Sequence, residues 1–294
     1  MKLYALADLH LRYEVTRRAL EALRPRPYDW LILAGDVGET EEHLRFALAL
    51  LTRRVARLLW VPGNHDLWTI PSKAHDLKGE AKYRRMVQIC RDYGVITPED
   101  PYVVWPGEGP RCILAPTFLL YDYTFRPDEI DSKEAAIAWA AEDNLLCSDE
   151  VLLHSDPHPD KAAWCEARVR ETEPRLAEAA ARAPLVIINH FPLRRDLAIL
   201  PAIPRFSIWC GTRLTEDWHL RYRAEVVIYG HLHIRGRYER DGVRFEEVSV
   251  GYPQNWDQTL GMEPYLRQIL PHPPPDDRPS PVLRRRPSVY EPQG

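Results

Sequence analysis

Five short polar clusters in this chain carry the residue types that hold divalent metals. They are Asp8-Leu9-His10, Gly35-Asp36, Gly63-Asn64-His65-Asp66, Asn189-His190 and Gly230-His231-Leu232-His233. As candidate ligands they supply two carboxylates, one amide and four or five imidazoles. Mixed oxygen and imidazole donors suit Mn, Fe, Zn or Ni rather than Mg or Ca alone. Two such metals roughly 3.5–4 Å apart can clamp the attacking and leaving oxygens of an in-line displacement. One carboxylate must then stand centrally and bridge them. With neutral histidines, two Asp ligands and one bridging hydroxide, the centre keeps a charge of about +1, which attracts a phosphate ester. Singly the clusters are weak signals, because Asp-x-His reads equally as a capped turn and Gly-Asp is a common turn dipeptide. Five of them in order, each after an apolar run, point to one shared site.

Those apolar runs are the elements that must position the site. Leu3 to Ala7, Trp30 to Ala34, Leu58 to Val61, Leu185 to Ile188 and Val226 to Tyr229 are short and do not alternate. That pattern fits strands buried on both faces. Helical spacing lies between them. Thr40 is a candidate N-cap, Glu41 and Glu42 suit the positive end of a helix dipole, and Leu44, Ala47, Leu48 and Leu51 repeat on one face. Lys161 to Arg182 predicts a second long helix, with Pro174 expected to break or kink it. Strands alternating with helices imply an α/β layered fold, in which ligands collect beyond the C-terminal strand ends. All five clusters fall there. Gly63 and Gly230 precede ligand-type residues at points where a Cβ is expected to clash. Phe245 to Val250 reads as a further strand closing the second sheet, and Trp256 as packing.

With 294 residues, 45% of them hydrophobic, the chain is long enough for a large core. We expect a main domain over residues 1–265. Residues 117–160, aromatic and then proline-rich, read as a lid insertion, and residues 266–294 as a Pro/Arg-rich tail. The formal net charge of −4 gives no bulk attraction to nucleic acid or to an anionic membrane. Asp8 and His10 interrupt the N-terminal apolar stretch, which is too short and polar for a signal peptide, and no run reaches the roughly 18 apolar residues of a membrane span. The five cysteines show no C-x-x-C pair and read as reduced thiols, so a cytoplasmic location is expected. Cys210, in an aromatic and basic stretch, reads as a small buried hydrophobe.

The ordered set resembles the calcineurin-like metallophosphoesterase family over about residues 1 to 250. The resemblance implies a four-layer double β-sandwich flanked by α-helices, the metallo-dependent phosphatase fold. It also implies hydrolysis of a phosphate mono- or diester by a metal-bound hydroxide. By the same resemblance, one metal takes Asp8, His10, Asp36 and His233, and the other takes Asp36, Asn64, His190 and His231, with Asp36 as the bridge. Mn is favoured among Mn, Fe and Zn for the two divalent ions. An acidic residue usually continues the second motif, and Glu39 stands there. The resemblance gives His65 a contact to the scissile phosphate and the role of general acid, which suits a group titrating near neutrality. Asp66 follows directly and is expected to orient and charge that imidazole.

Arg194, Arg195, Arg205, Arg213 and Tyr123 are the candidate substrate contacts. A guanidinium grips phosphate oxygens in a bidentate way, and an aromatic can stack a base or sugar, although each Arg reads also as part of a solvated basic loop. The expected partner is a small-molecule or nucleotide-type phosphate ester. A nuclease of the same fold is the second reading, disfavoured because nucleases commonly need a basic track. A silent scaffold is the third, disfavoured because no ligand position is lost. The residues leave open mono- against diesterase activity, the metal's identity and the oligomeric state.

Overall fold

A computed structural model describes residues 1–71 and 77–273 of the chain. Its strands are β1 (Leu3–Leu6), β2 (Arg26–Ala34), β3 (Val55–Val61), β4 (Val103–Val104), β5 (Ile113–Pro116), β6 (Leu185–Ile188), β7 (Ala224–Tyr229), β8 (Gly236–Arg240), β9 (Val243–Glu247) and β10 (Arg267–Leu270). The helices are α1 (Glu14–Glu21), α2 (Glu41–Leu51), α3 (Gly79–Asp92), α4 (Lys133–Ala141), α5 (Asp149–Leu152), α6 (Lys161–Arg182) and α7 (Trp218–Arg221).

Two sheets form, in the orders β10-β1-β2-β3 and β4-β5-β6-β7-β9-β8. The five strands that carry the polar clusters are parallel to their cluster-bearing neighbours: β1 to β2, β2 to β3, and β6 to β7. Alternating residues of one strand serve different cores. Leu3, Ala5 and Ala7 face Val186, Ile188, Val226 and Ile228 in the layer between the sheets. Tyr4 and Leu6 face outward to Leu20, Leu44, Leu48 and Met86 of α1, α2 and α3. On the far side, Ile187 and Val227 pack against Leu176 and Ala180 of α6 and Trp218 of α7. The result is the expected helix–sheet–sheet–helix stack, and burial on both faces explains why these strands lack polar alternation.

Local chemistry sets the ends. Thr40 caps α2 by accepting the His43 amide, as its position before Glu41 predicts. Helix α6 runs through Pro174 without the expected break. Pro174 and Arg170, whose carbonyl loses its usual partner, both lie on the exposed side, so the missing bond falls on the solvent face of the helix. The tail expected from residue 266 begins instead as β10, which pairs with β1 because Ile269 and Leu270 are apolar and complete the intersheet core. Residues 274–294 lie outside the described residues. Ala7 and Ser249 pair across the sheets as an isolated bridge, fastening the sandwich at the end where the clusters gather.

Candidate active site

Each cluster begins one or two residues beyond a strand end, and the turns there are tight. Asp8, His10, Asp36, His231 and His233 all adopt positive φ, between 45° and 70°. Side-chain-bearing residues seldom do so, and such strain gathers at functional sites. The glycines beside them leave room for the donors. A Cβ on Gly63 would lie 2.0 Å from Asp36 Oδ1, and one on Gly230 would lie 2.4 Å from Asp8 Oδ2.

The turns bring the donors together. His10 Nε2 is 3.1 Å from His233 Nε2, and His233 Nε2 is 3.0 Å from Asp8 Oδ1. Asp36 Oδ2 lies 4.0 Å from His10 Nε2 on one side and 3.5 Å from His190 Nε2 on the other. It therefore stands between two groups of donors, as a bridge must. His190 Nε2 is 3.2 Å from Asn64 Oδ1, while its Nδ1 is held 2.9 Å from the Ala34 carbonyl. The His231 amide donates to both oxygens of Asp8, and its buried Nε2 has no hydrogen-bond partner among the described residues.

This donor set fits divalent metal ions. Asp8, His10 and His233 converge as one group, and Asp8, Asp36 and His190 as another, with ligand atoms within 4.8 Å of one another. Burial drives His10 well below its ordinary value and His231 down to about 3, so both keep a free lone pair at neutral pH. Burial acts on His190 in the same direction, but Asp36 and Asp8 overturn it and push that ring up to about 10. Two buried carboxylates thus make the spot a place for positive charge.

His65 stands beside these donors, its Nε2 3.8 Å from Asp36 Oδ2, and its ring rests on Trp68 at 3.6 Å. Burial opposes its protonation, yet Asp36, Glu39 and Asp149 hold it above the usual imidazole value. Asp66 does not orient it. His65 and Asp66 share a 3-10 turn, His65–Leu67, and at three residues per turn successive side chains diverge by about 120°. The Asp66 carboxylate instead accepts the Gly63 and Gly38 amides, tying together the two loops that carry Asn64 and Asp36. Glu39 faces the imidazole, 3.7 Å from Nδ1, and is itself paired with Arg12 at 3.2 Å. The acidic position of the second motif was the available signal for that role.

The five candidate substrate contacts are not brought to the cluster; each is taken up by partners outside the Asp and His donors. Arg205 pairs with Glu142 and Asp143, Arg195 and Arg213 with Asp128, and Arg194 with Asp196 and Asp241. Tyr123 is buried and donates to Glu150. Arg195, Arg205 and Arg213 therefore clip the segment after His190 onto the 117–160 segment, because carboxylates of that segment lie opposite them. Cys210 is buried, as expected, and burial raises its thiol well above the ordinary value.

Ser249 and Asp149 carry no motif that would have exposed them. Ser249 Oγ donates to Asp8 Oδ2 at 2.7 Å. Asp149, on α5 within the 117–160 segment, accepts from Asn64 Nδ2 at 2.9 Å and Trp68 Nε1 at 2.6 Å.

Residues 1–235 match the family model described as calcineurin-like phosphoesterase. The chain belongs to that family and is a metal-dependent phosphoric ester hydrolase. It is 46% identical over 274 residues to the [acyl-carrier-protein] phosphodiesterase PptH of Mycobacterium tuberculosis, a match covering 92% of this chain and 84% of that protein. The crystal structure of the same M. tuberculosis protein, described as a phosphopantetheinyl hydrolase, superposes with a TM-score of 0.87 at 45% identity, covering 92% of this chain and 96% of the other. Among the described residues, no helix is long and apolar enough to cross a membrane.

Proposed function

We propose that this chain hydrolyses the phosphodiester linking a phosphopantetheinyl arm to a serine of a carrier protein. The observation that carries the proposal is the 46% identity to a carrier-protein phosphodiesterase over nearly the whole chain. In this reading Asp8, His10, Asp36 and His233 hold one metal, and Asp36, Asn64, His190 and His231 hold the other. Mn²⁺ is the ion we assign first, since two carboxylates, an amide and imidazoles suit it. Bound there, two divalent ions supply electrophilic stabilisation of the phosphoryl oxygens and an activated water.

The rest of the work falls to side chains of this chain. A serine oxygen is a poor leaving group and needs a proton as the P–O bond breaks. His65 faces the donor cluster through Nε2 and Glu39 through Nδ1, which suits Glu39 to hold the ring and Nε2–H to protonate the leaving oxygen. The Trp68 face fixes the ring plane. The Gly38 and Gly63 amides, gripped by Asp66, keep the Asp36 and Asn64 loops in register. Segment 117–160 contributes Asp149 to this end of the sandwich and, in our reading, shapes the entrance to it. Five unpaired cysteines support a reducing, cytoplasmic compartment.

The test is a carrier protein loaded with its phosphopantetheinyl arm, incubated with the enzyme in Mn²⁺ and read by intact mass. Loss of the arm, abolished by Asp36→Asn, supports the reading. An intact arm alongside cleavage of bis(p-nitrophenyl) phosphate would sink the carrier-protein substrate and keep a phosphodiesterase.

A further inference from the structure

The 117–160 segment reaches the donor cluster through one buried carboxylate. Asp149 is fully buried at the start of the four-residue helix α5, 85 positions from Asn64 in sequence. It accepts both the Asn64 amide and the Trp68 indole through Oδ1, and its Oδ2 has no hydrogen-bond partner among the described residues. A buried, incompletely satisfied carboxylate is a poor stability device.

Its value lies in what it does to Asn64. A side-chain amide can present either its oxygen or its NH₂ by a half-turn, and only the oxygen binds a metal. The Trp68 indole can only donate, so the Asp149 Oδ1 that it meets is an accepting oxygen, and the face of Asn64 turned to that oxygen must be the NH₂. Asn64 Oδ1 is thereby turned to the opposite side, where it lies 3.2 Å from His190 Nε2. The hydrogen bond accepted behind the NH₂ also polarises the amide and makes its oxygen a stronger donor. The same oxygen of Asp149 holds Trp68, whose ring is the shelf under His65.

We propose that Asp149 is a positioning residue for the metal held by Asn64 and His190, fixing the amide of Asn64 so that its oxygen faces the ion. The proposal rests on the assignment of Asn64 as a ligand. It makes the 117–160 segment part of the metal site and not only a cover over it.

The experiment is Mn²⁺ binding to the metal-stripped full chain, read by calorimetry and by metal retained after dialysis. The variants are Asn64→Ala, Asp149→Ala, Asp149→Asn and Trp68→Phe. Wild type is expected to take two Mn²⁺ per chain. Asp149→Ala should weaken one of them by about 10–100-fold, the range seen for outer-shell ligand partners, and leave the other unchanged. Asp149→Asn keeps the volume and an accepting oxygen and should fall between, so the proposal stays testable if the alanine variant does not fold. Trp68→Phe removes the other bond to Asp149 and should leave both affinities within about twofold. Wild-type affinity for both ions in the folded Asp149 variants overturns the proposal. So does a loss in Trp68→Phe equal to that in Asp149→Ala, which would mean general loosening. If Asn64→Ala itself keeps both ions, the ligand assignment falls instead.

Discussion

Adjacency in sequence and adjacency in space diverge most at His65. Asp66 is its chain neighbour yet turns to the Gly38 and Gly63 amides, where burial and the nearby Asp36 push it up to about 7. Glu39, 26 residues earlier, faces the ring. If Glu39 holds a protonated imidazole, Glu39→Gln removes a negative charge beside it and lowers its pKa. A general acid works only while protonated, so the alkaline limb of kcat should move to lower pH by about one unit for esters of poor leaving groups. Two bound metals should be retained. An alkaline limb that stays in place would remove Glu39 from the dyad. His65→Asn should likewise keep both metals but slow hydrolysis by about 10²–10⁴-fold for alkyl esters, and much less for p-nitrophenyl esters. Equal slowing of both would remove the general-acid role. The convergence was legible from the motifs, since Asp8, His10, Asp36, Asn64, His190, His231 and His233 stand together at one end of the sandwich. Ser249 and Asp149 were not, because a lone Ser or Asp carries no signal until the fold puts it beside a ligand.

At the scale of elements, legibility followed burial. The five motif strands lie between two apolar layers, so their composition betrayed them, and their parallel pairing within two mixed sheets brought their ends together. The arginines misled because loop side chains answer to whichever carboxylates lie opposite: Asp128, Glu142 and Asp143 came from a segment whose placement no periodicity could give. Strand β10 was hidden in a proline-rich neighbourhood and shows itself only by pairing with β1. The strand-to-turn junctions are the sharpest constraint at this level. At Gly63 an added methyl would meet the Asp36 carboxylate and amide at 2.0 and 2.5 Å, with no flexible chain end to yield. Gly63→Ala should therefore shift the Asp36 loop, lower stability by about 1–3 kcal/mol and reduce turnover by about 10²-fold. Thermal unfolding and bis(p-nitrophenyl) phosphate hydrolysis, measured together, check it. Wild-type activity in a folded Gly63→Ala protein would mean that the loop does not set the bridge.

For the whole molecule, the site is a concentrated conflict within an otherwise consistent fold. Positive φ at five donor-bearing residues and two carboxylates in the buried seam between sheets are costs that cations at the end of the sandwich offset. Metal binding must therefore appear as folding stability. At 100 to 1,000 times its dissociation constant, Mn²⁺ should add about 3–4 kcal/mol, a Tm rise of about 5–7 °C for a chain of this size. The gain should depend on pH with a definite sign. In the metal-free protein, His190 is pushed up to about 10, above its unfolded value of about 6.5. Its proton contributes stability below about pH 6.5, and that contribution is lost as pH rises toward 10. An ion that takes the proton's place removes this dependence, so the Tm gap between loaded and stripped protein should widen from pH 6.5 to 9. Melting curves with excess Mn²⁺ and with chelator at several pH values provide the measurement, with Asp36→Asn as the control that shows little gap. A gap constant across that range would mean that His190 carries no proton for the metal to displace, and no gap at all would mean that the converging donors hold no metal.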